Sequence, residues 1–296
     1  MKTPHGLLRQ HLLKPRKSLG QNFLRYPHIA DEIVRLAGIA PNDTVIEVGV
    51  GLGALTMALA RTARRVIGLE IDQGLVALHE EEDDLPANVE LRHQDILRAD
   101  LTALAAEVGK PLHVVTNLPY SISHPFLFLM LDNRQHIRQV TVMVQEEVAA
   151  RLMAKPKTKE YGIVTVLFAL CARIESLLAV PPEMFYPQPA VQSQLIQITF
   201  TPEIAPAAEL AMVRKIVKYT FGNRRKTLGN TLGAAGFWQQ FPAMPQENGK
   251  SLAKELLQRA RIGDKARPEE LTAEEFVRLS QTLQRMLTEP MAESCA

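Results

Sequence analysis

Cysteine is almost absent from this chain: Cys171 sits inside an apolar run and Cys295 lies one residue from the C-terminus. Two thiols so placed supply neither a disulfide framework nor a cysteine-rich zinc site, so a reducing, cytoplasmic setting is expected. Long apolar runs are missing as well. The longest, over residues 163–172, is about half of the roughly 20 residues that a membrane-spanning helix needs. A secretory signal is not expected, because Arg9 interrupts the N-terminal leucines, and the basic start is too poor in serine for a transit peptide. Acidic residues are missing from two stretches. Residues 1–25 carry Lys2, Arg9, Lys14, Arg16, Lys17 and Arg25, and residues 211–226 carry Arg214, Lys215, Lys218, Arg224, Arg225 and Lys226, with no Asp or Glu in either. The formal net charge of +2 hides this asymmetry, which an acidic run at 80–84 offsets. Acid-free basic stretches suit a polyanion, since each phosphate neutralised releases condensed counterions; the alternative is two solvated helix faces.

What is present is an ordinary globular balance, 296 residues with 46% hydrophobic and 22% charged side chains, long enough for a large unit and a smaller one. From Thr44 onward, short β-branched runs alternate with helical stretches: TVIEV, ALTMALARTA, RVIGLE, then a helix from Asp72. That pattern predicts a βαβ unit. Further strands are predicted in NVELRH, PLHVVTN, QVTVMVQ, RIESLLAV and VQSQLIQITF, with helices following Ser123, Gln145 and Glu160. PPEMFYPQPA, between the last two strands, is too proline-rich for a helix, so the expected fold is α/β, a mostly parallel sheet with an antiparallel end strand. After TPEIAPAAE the chain reads as helix throughout, roughly 207–221, 226–235, 250–260 and 272–288. A domain boundary is expected near Thr201, separating residues 1–200 from an all-helical 201–296.

The segment VIEVGVGLGALT places Glu47, Gly49, Gly51 and Gly53 between a strand and a helix, where glycines permit close backbone approach to a ligand. Gly49, Gly51 and Ala54 satisfy a dinucleotide fingerprint, with Glu70 as the ribose-binding acid; equally, E-x-G-x-G-x-G is a methyltransferase loop. The loop alone leaves NAD and S-adenosylmethionine both open. Asn117, Leu118, Pro119 and Tyr120, at the end of the fourth strand, favour the second. The exocyclic amine of adenine is a poor nucleophile because its lone pair is delocalised into the ring. Acceptors for both N–H bonds help it react, and Asn117 Oδ1 with the Leu118 carbonyl are such acceptors. Pro119 would fix the turn and Tyr120 would stack on an extruded base. The alternative is a strand-terminating Asn, a Pro turn and a core tyrosine.

With these motifs the chain resembles the S-adenosylmethionine-dependent ribosomal RNA adenine N6-dimethyltransferases, most closely their small-subunit, KsgA/RsmA type. KSLGQNFL at 17–24, EVGVGLG, the Glu70 strand end, QDIL at 94–97, NLPYSIS at 117–123, MFYPQPAVQS at 184–193, FGNRRKTL at 221–228 and ARPEELT near 266–272 follow in the family's order. Val50, the Ser18–Leu19 pair and Ser121 depart from the more usual residues. The resemblance implies a Rossmann-like class I methyltransferase domain over 1–200 and a helical RNA- or subunit-binding domain over 201–296. It implies dimethylation of adjacent adenosines in the 3′-terminal hairpin loop of small-subunit (16S) rRNA, during small-subunit biogenesis. Asn22 and Leu24 would form a lid over the cofactor, Gly49, Gly51 and Gly53 its loop. Glu70 would hold the ribose, Asp95 the adenine amino group, and Asn117 would sit where cofactor and base meet. Phe185 resembles the aromatic that faces the target adenine opposite Tyr120.

Because a sulfonium is already an activated methyl donor, the protein must mainly align the reactants and exclude water, without a strong base. The histidines are scattered, so no metal is expected. Lys14, Arg16 and Lys17, with Arg224, Arg225 and Lys226, are the expected RNA contacts, and the partner is small-subunit rRNA or an immature subunit, met by a monomer away from any membrane. The competing readings are a macrolide-resistance type enzyme acting on large-subunit rRNA, and an RNA-binding assembly or transcription factor on the same fold. FGNRRKTL and RPEELT favour the small-subunit type; cofactor binding would separate an enzyme from a factor.

Overall fold

The protein, represented by a computed structural model, is described over residues 3–201, 207–242 and 248–288; residues 202–206 of TPEIAPAAE, and Cys295, lie outside the described residues. The chain groups into two units, one of Met1–Ala149 with Arg173–Phe200, the other of Ala150–Ala172 with Thr201–Ala296.

The first unit opens with α1 (Pro4–Gln10), β1 (Phe23–Leu24) and α2 (Pro27–Ala37). Alternating strands and helices follow: β2 (Thr44–Val48), α3 (Ala54–Thr62), β3 (Arg65–Glu70), α4 (Gln73–Glu82), β4 (Val89–His93), α5 (Leu101–Val108), β5 (Leu112–Asn117), α6 (Ser123–Asp132) and β6 (Ile137–Gln145). After α7 (Glu146–Leu152) and α8 (Ile163–Ala169) come β7 (Ala172–Val180), β8 (Phe185–Tyr186) and β9 (Ser193–Phe200). Seven strands form one sheet in the order β4, β3, β2, β5, β6, β9, β7. Strands from β4 to β6 pair in parallel and β9 pairs antiparallel to β6. The antiparallel strand thus lies one place in from the edge, which β7 occupies. The fold is Rossmann-like. β2 is apolar at three of its five positions and wholly buried, as a central parallel strand covered on both faces is; the edge strand β4 is only half-buried. The chain leaves β2 toward β3 and β4, then returns to its other side as β5. This reversal opens a crevice at the C-terminal strand ends, where open α/β sheets bind ligands.

The second unit holds α8, α9 (Ala207–Phe221), α10 (Leu228–Leu232), α11 (Ala235–Trp238), α12 (Gly249–Arg259) and α13 (Ala273–Thr288). Phe237, Trp238 and Phe276 are fully buried in its core, each side chain contributing roughly 1.5–3 kcal/mol of apolar burial. A single cut near Thr201 was expected, yet residues 150–172 belong here. Tyr161, Val166 and Leu170 pack in the same core, and the Tyr161 hydroxyl donates to the Leu271 carbonyl at 2.8 Å. An apolar face and a buried hydroxyl must find partners wherever they exist, and in this chain they lie across a long sequence gap.

Candidate active site

A concavity of the first unit, about 1070 Å³ including its open mouth, lies at the ends of β2, β3 and β5. Its walls bring together Asn22 and Leu24 from the N-terminal segment, Gly49 and Gly51 from the loop, Glu70, Asp95, and Asn117, Leu118 and Pro119. Residues nearly a hundred positions apart in sequence meet here because parallel strands deliver their C-terminal ends to one edge.

The loop is held from below and behind. Gly51 has a φ of +61°, a conformation that side chains rarely adopt. Its N–H donates to Glu70 Oε2 at 2.9 Å, and the N–H of Asp72 donates to Oε1 at 2.8 Å. Gly68 on β3 is required for a different reason: a Cβ there would lie 2.5 Å from Val50 Cγ2, so only glycine lets the loop lie across the strand. Glu70 is buried, and burial raises its pKa, opposed by the backbone N–H groups of Asp72, Gly51 and Ile71. Each of its oxygens keeps a further lone pair, so the carboxylate can accept ligand hydroxyls while it latches the loop.

Asn117 ends β5. Its Nδ2 donates to the Asn22 carbonyl at 2.9 Å, which leaves Oδ1 as the uncommitted acceptor of the amide. Asn22 in turn donates from Nδ2 to the Gly20 carbonyl at 3.0 Å. Asp95 Oδ1 accepts from the Leu97 N–H at 2.9 Å, leaving Oδ2, which is 3.7 Å from Arg98 Nε.

Other expected site residues sit elsewhere. Gly53, at the N-cap of α3, does not line the cavity; it faces the outer groove behind the loop. Tyr120 is half-buried with its hydroxyl hydrogen-bonded to Ser193 on β9, and burial raises its pKa. Phe185, expected to face a target base, is 1% exposed among Leu24, Ala30, Met143 and Leu195, and does not line the cavity. The reason is register: β8 pairs antiparallel with β1, placing Phe185 against Leu24 in the core.

The basic residues also divide. Lys14, Arg16 and Lys17 are all exposed, and Arg16 also pairs with Asp72 at 3.2 Å. Arg225 and Lys226 are exposed. Arg224 is not free for a polyanion, because its Nε donates to Glu269, Nη1 to the Lys159 carbonyl at 2.7 Å and Nη2 to the Thr158 carbonyl at 3.0 Å. A guanidinium near three acceptors of its own fold satisfies them before any ligand arrives.

The strongest omission from the expected set is Glu47. Fully buried on β2, it lines the cavity, and neither carboxyl oxygen has a hydrogen-bond partner of normal geometry. Burial pushes its pKa up to about 8, the Glu70 charge adding and Thr56 opposing. Its signal in the sequence is one acid inside an otherwise uncharged strand, TVIEV. Among the described residues, no three His, Cys, Asp or Glu side chains are grouped to hold a metal ion, and no helix is long and apolar enough to cross a membrane.

Comparison with known proteins gives this geometry a family. Residues 12–284 match the family model described as ribosomal RNA adenine dimethylase. A protein named ribosomal RNA small subunit methyltransferase A from Desulfotalea psychrophila is 43% identical over 274 residues, covering 92% of each chain. One of the same name from Syntrophus aciditrophicus is 42% identical over 94% of this chain and 97% of its own. The crystal structure of a dimethyladenosine transferase from Plasmodium falciparum superposes with a TM-score of 0.74 at 21% identity, over 89% of this chain and 98% of that one, which shows a common fold. From the ordered motifs, the cavity they build and a family model spanning both units, the chain belongs to the ribosomal RNA adenine dimethylase family.

Proposed function

We propose that this protein is an S-adenosylmethionine-dependent methyltransferase that dimethylates N6 of adjacent adenosines in the 3′-terminal hairpin loop of small-subunit rRNA. The single observation that carries the chemistry is the Asn117 amide. With Nδ2 tied to the Asn22 carbonyl, Oδ1 remains at the cavity wall to accept an N–H of the target amine. The family description names an adenine dimethylation, which favours the methyltransferase reading of the glycine loop over the dinucleotide one. The relatives' shared name favours the small subunit over the large.

The residues fit the cofactor. Glu70 offers spare lone pairs for ribose hydroxyls, Asp95 Oδ2 for an adenine amine, and Glu47 an unpartnered buried carboxyl suited to the cationic end of the molecule. Bound there, S-adenosylmethionine supplies a methyl group already activated on sulfur. As the adenine nitrogen becomes tetrahedral and cationic, Asn117 Oδ1 and the Leu118 carbonyl stabilise it more than they stabilise the planar base, and one such acceptor contributes roughly 2–4 kcal/mol. Pro119 fixes the turn that presents them. Tyr120, its hydroxyl held by Ser193, is the aromatic left to meet the base once Phe185 is assigned to the core. Lys14, Lys17, Arg225 and Lys226 supply RNA contacts.

Asn117→Ala tests the reading. Turnover on immature small subunits, read by nucleoside mass spectrometry, should fall more than about tenfold with the melting temperature preserved; retention of more than about a tenth of wild-type turnover would overturn the acceptor role. An assembly factor without catalysis would show no methylation in either protein.

A further inference from the structure

We propose that His79, which lies outside the cavity, is a positioning residue for the cofactor, acting through the carbonyl of Gly51 and set by Asp84. The proposal rests on the cavity being an S-adenosylmethionine site. His79 is on α4 and its side chain is 1% exposed. Nδ1 is 2.7 Å from Asp84 Oδ1, and Nε2 is 3.0 Å from the Gly51 carbonyl oxygen. A carboxylate and a carbonyl only accept hydrogen bonds, so each ring nitrogen faces an acceptor and Nε2 is placed to donate to Gly51.

The consequence is a clamp on one peptide residue from two sides. Gly51 donates its N–H to Glu70 and accepts on its carbonyl from His79. The ring also packs on the loop a second time, since a Cβ on Gly53 would come within 3.2 Å of its Cε1. The contact also gives a role to one member of the acidic run at 80–84: Asp84, 40% exposed and absent from the cavity wall, holds the ring that holds the loop.

Asp84 is the charged side chain bonded to the ring; the outer groove nearby is lined by Arg25, Glu82 and Asp84, and Glu82 there is 2.7 Å from His11 Nε2. The loop from Gly49 to Gly53 carries no titratable side chain.

His79→Leu isolates the clamp, because it leaves the Gly51 carbonyl without its side-chain donor. Calorimetry should show S-adenosylhomocysteine binding about 3- to 10-fold weaker than in the wild type, the range for one lost hydrogen bond, with an unchanged circular dichroism spectrum. His79→Gln keeps a side-chain N–H for the carbonyl and should recover most of the affinity, with Asp84→Ala, whose ring is untethered, falling between the two. Wild-type affinity in His79→Leu, or no recovery in His79→Gln, overturns the clamp. Failure of the wild type to bind S-adenosylhomocysteine at all would overturn the cofactor reading itself, a different result from a difference between variants.

Discussion

Burial of an unpaired carboxyl at Glu47 has to appear in the pH dependence of stability. Its folded pKa of about 8 lies above the ordinary 4.5, so between these values the native state holds a proton that the unfolded chain has released. Stability from this group is complete below pH 4.5 and is lost as pH rises through 8. His113 works in the opposite sense. Buried on β5, with its Nε2 3.1 Å from the Gln139 amide nitrogen, it has a pKa lowered to about 4, chiefly by burial with Arg138 contributing and Asp43 opposing. Between pH 4 and 6.5 the unfolded chain binds a proton there that the native state does not, so stability falls as pH falls. The two slopes oppose each other from about 4.5 to 6.5, and Glu47 alone acts from there to 8. Glu47→Gln should therefore abolish a decline on the order of 2 kcal/mol between pH 6.5 and 8, measured as the difference from wild type in urea titrations. Parallel curves for the two proteins would show that the carboxyl ionises normally. The acid was visible in TVIEV; its lack of a partner was not, since that depends on what β3 and α3 bring beside it.

At the level of elements, Arg224 shows how a residue type is redirected by its surroundings. FGNRRKTL reads as one basic patch, but the turn after α9 sends Arg224 to Glu269 and to the carbonyls of residues 158 and 159. The Lys157 N–H also donates to the Glu269 carbonyl at 2.7 Å, so the arginine closes a junction between three separated segments of the second unit. Arg224→Ala should lower stability by about 1–3 kcal/mol, because two carbonyls and a carboxylate lose their donor. Chemical denaturation checks this. A variant as stable as the wild type would return the residue to the solvent-facing set. The predicted strands and the larger helices are found where the alternation placed them, because β-branched runs bounded by turn residues carry their signal locally. The two-residue strands β1 and β8 are too short for any periodicity, and their pairing decides that Phe185 is a core residue.

At the level of the molecule, the charges left exposed after such internal pairing are those available to RNA. Arg225 and Lys226 are exposed in the second unit, so replacing both by Ala should weaken RNA binding and flatten its salt dependence, leaving stability and S-adenosylhomocysteine affinity unchanged. Titrations across salt concentrations provide the measurement, and an unchanged slope would mark the pair as a solvated face.

Taken by itself, the sequence determined the α/β pattern, the glycine loop, the acid that follows it at Glu70 and the Asn-Leu-Pro-Tyr turn, because each is written in a few contiguous residues whose backbone and chemical requirements are local. The tertiary structure alone decided which of the candidate side chains are free to act. Asn117 Oδ1 is available because Nδ2 meets a carbonyl 95 residues away; Arg224 is spent on acceptors of its own fold; Phe185 is buried by a strand pairing; and His79 reaches Gly51 across 28 residues. Hydrogen-bond partners and burial are properties of neighbours in space, and the chain must close on itself before they exist.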